Sequence, residues 1–190
     1  PHALIIDCSA SDAVAERYAA WLAAGIHVVT PNKHAGAGPR TRWQGIRAAC
    51  ASGARFRYEA TVGAGLPVIS TLRDLLDTGD ELHAVQGILS GTLAWLFNRY
   101  DGSVPFSALV REAHALAYTE PDPRDDLSGT DVALKLVLLA REAGVGLELA
   151  DVEVESLVPA SLRATDAATF IDRLGEFDAL IEARHASARR

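Results

Sequence analysis

The sequence predicts an α/β protein that opens with a parallel, doubly wound sheet. Two short apolar runs, Ala3–Ile6 and Ile26–Thr30, indicate buried strands, and a stretch with helical periodicity separates them. A crossover of this kind joins parallel strands, because antiparallel neighbours need only a tight turn. From Glu59 onward a glycine-rich loop and longer amphipathic stretches follow, which indicates a second domain.

The elements of the first part follow one another in the order of half a nucleotide-binding fold. Ser11 is suited to cap the first crossover helix, and Gly25 is suited to end it. A second helix is predicted from about Arg42 to Ser52, and a third strand from Phe56 to Tyr58. We therefore interpret residues 1–58 as the C-terminal part of a Rossmann-type nucleotide-binding fold.

The second part, residues 59–190, is expected to form an α+β domain. Helices are predicted after Pro67 and at Leu93–Tyr100, Phe106–Ala117, Gly129–Glu142 and Thr169–Arg190. Strands are predicted at Glu81–Leu89 and Val152–Leu157, and a loop rich in Pro and Asp at Glu120–Asp126. The chain contains no Met, begins in a predicted strand and ends in a helical stretch, so we expect a fragment cut at both ends.

The composition argues against several classes of function. A net charge of -7 and the lack of a Lys- and Arg-rich run argue against nucleic acid as a partner. No apolar stretch is long enough to span a bilayer and no signal peptide opens the chain, so we expect a cytoplasmic protein without a membrane partner. Cys8 and Cys50 suggest a reducing compartment, and the six histidines show no metal-ligand spacing with them.

The helix predicted at Gly129–Glu142 carries two charged residues within an apolar stripe. Asp131 and Lys135 are four residues apart, so they share a helix face. Buried charges are costly unless they are paired or functional, and burial lowers a lysine pKa toward the range that suits proton transfer. Two structural alternatives compete: Asp131 caps the helix together with Ser128, or Asp131 and Lys135 form an ordinary salt bridge.

The loop before this helix concentrates four carboxylates within seven positions: Glu120, Asp122, Asp125 and Asp126. Such a cluster repels itself and favours a cationic guest, either a metal ion or a substrate ammonium group. Pro121 and Pro123 restrict the backbone that presents the carboxylates. The alternative is a solvated acidic loop whose Asp residues complement the dipole of the next helix.

Two further loops are candidate binding sites. Ser9 and Lys33 follow predicted parallel strands, and ligands of doubly wound folds bind at the carboxyl ends of strands. A solvated loop lysine is the commoner case. In the loop Val62–Leu66 the glycines can expose carbonyl oxygens which, with Glu59 nearby, can hold a hard cation. A simple strand-to-helix turn is the alternative for this loop.

Several of these segments together resemble the homoserine dehydrogenase family. The segment Ala113–Lys135 is similar to the family signature, with one departure: Ala117 stands where the family usually has glycine. Further segments resemble the family in the expected order, namely Val29–Lys33, Thr61–Pro67 and Gly87–Thr92. The stretch Leu147–Glu155 is similar to the bifunctional aspartokinase–homoserine dehydrogenases.

This resemblance implies a reaction and a role for each candidate residue. The reaction is the NAD(P)H-dependent interconversion of L-aspartate 4-semialdehyde and L-homoserine, in threonine and methionine biosynthesis. Lys135 and Asp131 match the catalytic lysine and aspartate of the family. The residues that match the substrate site are Glu120, Asp126, Ser90, Gly91 and Thr92. Ser9, Thr30 and Lys33 match positions that touch the cofactor, which is NADP or NAD.

The resemblance also implies a sodium-like monovalent cation held by Glu59 and the carbonyl oxygens of Val62, Ala64 and Leu66. It implies a homodimer or higher homo-oligomer formed through residues 59–190, which would be the catalytic and dimerisation domain. Because the family's glycine-rich cofactor loop is expected before residue 1, we expect the isolated chain to be weakly active or inactive. Two alternatives remain: another Rossmann-type aldehyde reductase, and a non-catalytic dimerisation or regulatory module that retains the fold.

Overall fold

A computed structural model describes residues 2–189 of the chain. These residues form two compact units. The first unit runs to Leu89 and includes Ala133–Glu153, and the second consists of Ser90–Val132 together with the chain from Val154 onward. The two compact units are defined by contacts between residues, whereas the domain boundary expected between residues 58 and 59 was placed at a change in the sequence pattern. That boundary stays a prediction. The outermost residues of the predicted domains, Pro1 and Arg190, lie outside the described residues.

The first unit contains a small parallel sheet of three strands, β1 (Leu4–Ile6), β2 (His27–Val29) and β3 (Phe56–Arg57). Their order is β1-β2-β3 and both pairs are parallel, with Leu4 opposite His27 and Val28 opposite Phe56. This confirms the predicted α/β class and the parallel direction of the strands. The carboxyl ends of all three strands therefore lie along one edge of the sheet.

Helices account for about half of the remaining described residues. In chain order they are α1 (Asp12–Ala15), α2 (Tyr18–Ala23), α3 (His34–Ala37), α4 (Arg40–Ala49), α5 (Val68–Asp77), α6 (Gly91–Arg99), α7 (Phe106–Ala115), α8 (Pro123–Leu127), α9 (Thr130–Glu142), α10 (Ala167–Asp172) and α11 (Asp178–Ala188). Short 3₁₀ turns lie at Cys50–Ser52, Glu59–Thr61, Leu149–Asp151, Ala160–Leu162 and Leu174–Phe177. Within residues 2–189 no helix is both long and apolar enough to cross a membrane.

Local capping signals in the sequence predicted helix ends correctly. The Ser11 hydroxyl accepts a hydrogen bond from the Val14 amide at 3.3 Å and so caps α1. Gly25 ends α2 with a φ of 81°, in the left-handed region that glycine tolerates. The helix predicted between them is, however, broken into α1 and α2.

Both strands predicted for the second domain are wrong. Glu81–Leu89 and Val152–Leu157 lie outside every strand of the described chain. Most side chains of Glu81–Leu89 are exposed. The segment does not pair with another strand among the described residues, and an apolar pattern alone does not form a strand without such a neighbour. Leu157 instead donates its backbone N–H to the Leu127 carbonyl at 2.9 Å, within the second unit.

Two other boundaries differ from the prediction. The expected loop Glu120–Asp126 contains the short helix α8, because Asp122 caps it and Pro123 occupies its first position. The C-terminal helix predicted at Thr169–Arg190 is interrupted by the 3₁₀ turn at Leu174–Phe177, which separates α10 from α11.

Each unit has its own hydrophobic core. In the first unit, Val28 and Phe56 of the sheet pack with helix residues that include Tyr18, Ile46 and Leu138. In the second unit the core includes residues of α6, α7, α10, α11 and the 3₁₀ turn at Leu174–Phe177, and its largest side chains are Phe106, Phe170 and Phe177. Because α9 contributes Val137 and Leu138 to the first core, its position is set by apolar packing.

Ala117 adopts the unusual backbone conformation that its place in the family pattern suggested. It follows α7 with a φ of 56°, where glycine is the ordinary residue. Its amide donates to the His114 carbonyl at 3.0 Å, and the Tyr118 amide donates to the Ala113 carbonyl at 2.9 Å. This is the Schellman pattern, so the tight helix exit forms with alanine in place of glycine.

Candidate active site

Helix α9 carries both predicted catalytic residues. Asp131 lies in its first turn and Lys135 four residues later, and the side chain of each residue is half-buried. Within the first unit, the Lys135 Nζ donates a hydrogen bond to the Leu89 carbonyl at 2.6 Å. In the chain, Leu89 directly precedes Ser90, the first residue of the predicted substrate loop.

The predicted substrate loop, Ser90–Thr92, forms the start of α6 in the second unit. The buried Ser90 hydroxyl caps the helix by accepting from the Leu93 amide at 3.1 Å, while Gly91 is exposed. The Thr92 hydroxyl lies 2.7 Å from the Tyr118 carbonyl oxygen and 2.8 Å from the Asp126 Oδ1. Thr92 therefore joins the loop to the acidic segment.

In the acidic segment Glu120–Asp126, the Asp126 carboxylate is hydrogen-bonded within the protein, whereas Glu120 is exposed. Asp126 uses Oδ1 for the Thr92 hydroxyl and Oδ2 for the Glu120 amide at 2.8 Å. Glu120 itself is exposed, and within residues 2–189 its carboxylate makes no hydrogen bond or ion pair. The second unit therefore brings together Thr92, Asp126 and Glu120, and it leaves the Glu120 carboxylate available to a cationic group.

The two other carboxylates of the loop have contrasting electrostatics. Asp122 caps α8 and forms an ion pair with Arg124, whose hydrogen bonds hold the pKa of Asp122 below its usual range. Partial desolvation, reinforced by the neighbouring carboxylates of Asp122 and Asp126, raises the pKa of Asp125. The role of Arg124 was missed from the sequence, although its position two residues after Asp122 was the available signal.

The predicted cofactor residues lie at the carboxyl edge of the sheet. Ser9, after β1, is exposed, and Lys33, after β2, is half-buried. Thr30 is buried at 2% exposure, and its hydroxyl oxygen lies 3.0 Å from the Tyr18 hydroxyl and accepts from the Asn32 amide at 2.9 Å. Thr30 thus supports this edge from inside.

A buried polar network beneath this edge was missed from the sequence. Asp7, directly after β1, accepts hydrogen bonds from the Tyr18 hydroxyl, from the Ser9 amide at 2.8 Å and from the Asn32 side chain at 3.2 Å. Burial alone would raise the pKa of Asp7, but these bonds outweigh burial and lower it to about 2. The Asn32 side chain also accepts from the His34 amide at 3.1 Å, so the network fixes the residues on both sides of Lys33.

Glu59 has a structural contact in addition to its predicted role in binding a cation. Its carboxylate accepts from the backbone amides of Ile69 at 2.8 Å and Ser70 at 3.0 Å, at the start of α5. In the adjacent loop, Val62 is buried while Ala64 and Leu66 are exposed. Among residues 2–189 there is no group of three or more His, Cys, Asp or Glu side chains that could hold a metal ion. A site built from carbonyl oxygens stays a prediction.

The parallel sheet, with polar groups at its carboxyl edge, places the protein in the class of α/β nucleotide-binding folds. Comparison with known proteins narrows this class. Residues 67–187 match the homoserine dehydrogenase family, and residues 1–59 match the homoserine dehydrogenase NAD-binding domain. The chain therefore belongs to the homoserine dehydrogenase family.

Similar proteins support this assignment. The chain is 53% identical over 94% of its length to the chloroplastic bifunctional aspartokinase/homoserine dehydrogenase 1 of Zea mays, of which it covers 20%. It is 45% identical over 98% of its length to the homoserine dehydrogenase of Emericella nidulans, of which it covers 54%. The chain thus spans between a fifth and about half of the length of these relatives.

Solved structures show the same relationship. The crystal structure of a Candida auris protein of unknown function superposes with a TM-score of 0.91 at 38% identity, covering 98% of this chain and 55% of that one. A putative homoserine dehydrogenase from Archaeoglobus fulgidus gives 0.74 at 32% identity, covering 84% and 49%. A hyperthermophilic archaeal homoserine dehydrogenase in complex with NADPH gives 0.65 at 26% identity, covering 74% and 43%.

Proposed function

We propose that the protein catalyses the NAD(P)H-dependent interconversion of L-aspartate 4-semialdehyde and L-homoserine. The observation that carries the proposal is the position of Lys135. Its ammonium group is held at 2.6 Å from the Leu89 carbonyl, directly before the loop Ser90–Thr92, in a chain of the homoserine dehydrogenase family. The reaction belongs to the aspartate pathway that leads to threonine and methionine.

Lys135 supplies the proton in the reduction direction. When the carbonyl carbon of the semialdehyde gains hydride, the electron pair of its C=O bond moves to oxygen, where negative charge develops. An ammonium group in hydrogen-bond reach stabilises that charge and transfers its proton, which yields the alcohol. In homoserine oxidation the neutral amine takes the proton back. Asp131, one helical turn before Lys135, is the carboxylate of the catalytic pair.

Glu120 binds the ammonium group of the substrate. Its exposed carboxylate is presented by a backbone whose amide is bonded to Asp126, and Asp126 is bonded in turn to Thr92. A carboxylate that faces a substrate ammonium makes a charge-assisted hydrogen bond, which is stronger than a neutral one. Asp126, Ser90, Gly91 and Thr92 then shape the wall of the substrate site.

The residues at the sheet edge fit a nicotinamide cofactor. Ser9 and Lys33 present a hydroxyl and an ammonium group at the carboxyl ends of β1 and β2, and the Asp7 network holds their backbones. When bound, NAD(P) supplies or accepts the hydride. An archaeal homoserine dehydrogenase that was solved in complex with NADPH supports a nicotinamide cofactor, NADP or NAD. Thr30 contributes by stabilising this edge.

Four further features are part of the proposal. A monovalent cation binds near Glu59 and the carbonyls of Val62, Ala64 and Leu66, where the loop leaves two of these residues exposed. The protein forms a homodimer through residues 59–190. Residues 1–58 are the C-terminal part of the cofactor domain, and residues 59–190 are the catalytic domain. The two free cysteines, Cys8 and Cys50, suit the reducing cytoplasm.

The test compares homoserine with its analogue that lacks the amino group, 4-hydroxybutyrate. All assays use the full-length protein that contains residues 1–190, and we expect it to oxidise homoserine with NAD(P)+. Glu120→Gln should raise KM for homoserine about 30-fold, which corresponds to the loss of about 2 kcal/mol from one charge-assisted contact, and should leave the analogue unaffected. Glu112→Gln is the matched control, because Glu112 is also exposed and forms an ion pair with Arg99.

Three outcomes would contradict the proposal. Faster turnover of other small aldehydes would make the protein a different aldehyde reductase. The absence of any turnover would favour a non-catalytic module that retains the fold. An equal effect of Glu120→Gln on homoserine and on 4-hydroxybutyrate would show that Glu120 does not bind the ammonium group.

A further inference from the structure

Helix α3, which begins directly after Lys33, lies with its backbone against α9. A Cβ atom at Gly36 would stand 2.1 Å from the Leu138 Cδ2, far inside van der Waals contact. Leu138 is fully buried, so it has no room to withdraw. Gly36 is therefore required by the close approach of α3 to α9.

Arg141 bonds the same two helices together. It lies three residues after Leu138 on α9, and it is 4% exposed. One of its terminal nitrogens, Nη1, donates to the Gly36 carbonyl at 2.7 Å and to the Gly38 carbonyl at 2.6 Å. A buried guanidinium is costly unless its donors are satisfied, and here those donors are directed at the end of α3.

The other nitrogens of Arg141 fix the guanidinium plane. Its Nε donates to the Leu147 carbonyl at 2.8 Å, and its Nη2 donates to the Glu148 carboxylate at 2.9 Å. Glu148 also accepts from the Arg40 amide at 3.1 Å, just after α3. Both terminal nitrogens and Nε are thus engaged, in a planar arrangement that a lysine cannot reproduce.

The close contact between Gly36 and Leu138 lies near both proposed functional lysines, Lys33 on the side of α3 and Lys135 on α9. Lys33 precedes Gly36 by three residues, and its carbonyl accepts from the Gly36 amide at 3.1 Å and from the Ala37 amide at 2.8 Å. Lys135 precedes Leu138 by three residues on α9. A shift of α3 along α9 therefore moves Lys33 relative to Lys135.

We propose that Arg141, together with the close approach at Gly36, is a positioning residue that sets Lys33 relative to Lys135. This inference rests on the proposed function, in which Lys33 touches the cofactor and Lys135 is the proton donor. Hydride and proton must reach the same carbonyl group, and displacements of about 1 Å between reacting groups lower rates by up to about 100-fold. Arg141 acts through the two lysines and does not touch the substrate.

The test compares Arg141→Lys with a matched control, Arg73→Lys. Arg73, on α5, is another partly buried arginine of the first unit that bonds to α9, but its partner there is the Glu142 carboxylate. Both substitutions keep the charge and lose the planar guanidinium. Four quantities are measured on the intact protein: the free energy of unfolding, kcat, KM for homoserine, and the deuterium isotope effect with homoserine deuterated at C4.

Both variants are expected to be less stable than the wild type, with unchanged KM. Arg141→Lys alone should lower kcat about 10- to 100-fold and enlarge the isotope effect, because hydride transfer becomes rate-limiting. Equal kcat and isotope effects in the two variants, measured per folded enzyme, would overturn the inference. An inactive wild type would overturn the proposed function as well, whereas an active wild type with equivalent variants overturns the inference alone.

Gly36→Ala provides a second test that leaves Arg141 in place and decides the question if Arg141→Lys fails to fold. The added methyl group forces α3 away from Leu138, so we expect the same pattern of lower kcat, larger isotope effect and unchanged KM. Gly45→Ala is its control, because a Cβ there meets its nearest neighbour, the Ala19 Cβ, at an ordinary 3.6 Å. Wild-type kinetics in Gly36→Ala would contradict the inference.

Discussion

Asp7→Asn is expected to change how the stability of the protein depends on pH. The Asp7 carboxylate accepts bonds from Tyr18, Ser9 and Asn32, which together lower its pKa from 3.8 to about 2 in the folded protein. The unfolded chain then binds the proton more tightly than the folded one. The stabilisation from the ionised carboxylate is therefore complete above about pH 4 to 5, and it is lost as the pH falls toward 2.

The pKa difference gives the size of the effect. At about 1.4 kcal/mol per pKa unit, the full contribution is about 2 kcal/mol, of which about half is lost by pH 3. Urea unfolding of the wild type and of Asp7→Asn at pH 6 and pH 3 measures it. Between these pH values we expect the wild type to lose about 1 kcal/mol more than the variant.

Tyr18→Phe tests the physical cause. Of the hydrogen bonds to Asp7, the one from the Tyr18 hydroxyl lowers its pKa most. Without this bond the pKa of Asp7 should rise, so the stability of Tyr18→Phe should depend on pH less than that of the wild type and more than that of Asp7→Asn. If the stability of the wild type and of Asp7→Asn falls in parallel between pH 6 and pH 3, Asp7 does not have a lowered pKa in the folded protein.

Two further substitutions test other local features. Ala117→Gly should stabilise the protein by about 0.5 kcal/mol in thermal unfolding, because glycine relieves the φ of 56° at a small cost in chain entropy; a lower Tm would contradict the expected strain. Thr92→Val removes the hydroxyl that joins Tyr118 and Asp126, and it should raise KM for homoserine about 10-fold, since about 1.4 kcal/mol of loop positioning is lost. An unchanged KM in steady-state assays would show that Thr92 does not organise the Glu120 segment.

Features set by local sequence were predictable. The Ser11 cap, the Gly25 helix end and the parallel sheet follow from residue types and periodicity within short windows. The strands expected at Glu81–Leu89 and Val152–Leu157 were not formed, because a strand also needs a neighbour to pair with, and alternation along the chain does not supply one.

Polar contacts between residues far apart in the chain could not be predicted from the sequence. The network that joins Asp7 to Asn32 spans 25 positions, and the bond from Arg141 to Gly36 spans 105. No local pattern marks such pairs, since each residue alone is an ordinary charged or polar side chain. The same limit applied to the candidate site. Glu120 and Lys135 could be named as candidate site residues from the sequence. The hydrogen bonds from the Glu120 amide to Asp126 and from Lys135 to the Leu89 carbonyl could be seen only in the folded structure.

If Lys135 exchanges the proton with the substrate oxygen, then Lys135→Ala must lower kcat for homoserine oxidation. We expect a loss of about 10²- to 10⁴-fold, which is the range of general acid–base catalysis. The free energy of unfolding should stay within about 1 kcal/mol of the wild type, because the Lys135 side chain is half-buried and lies outside the apolar core. Turnover equal to the wild type in the folded variant would contradict this role of Lys135.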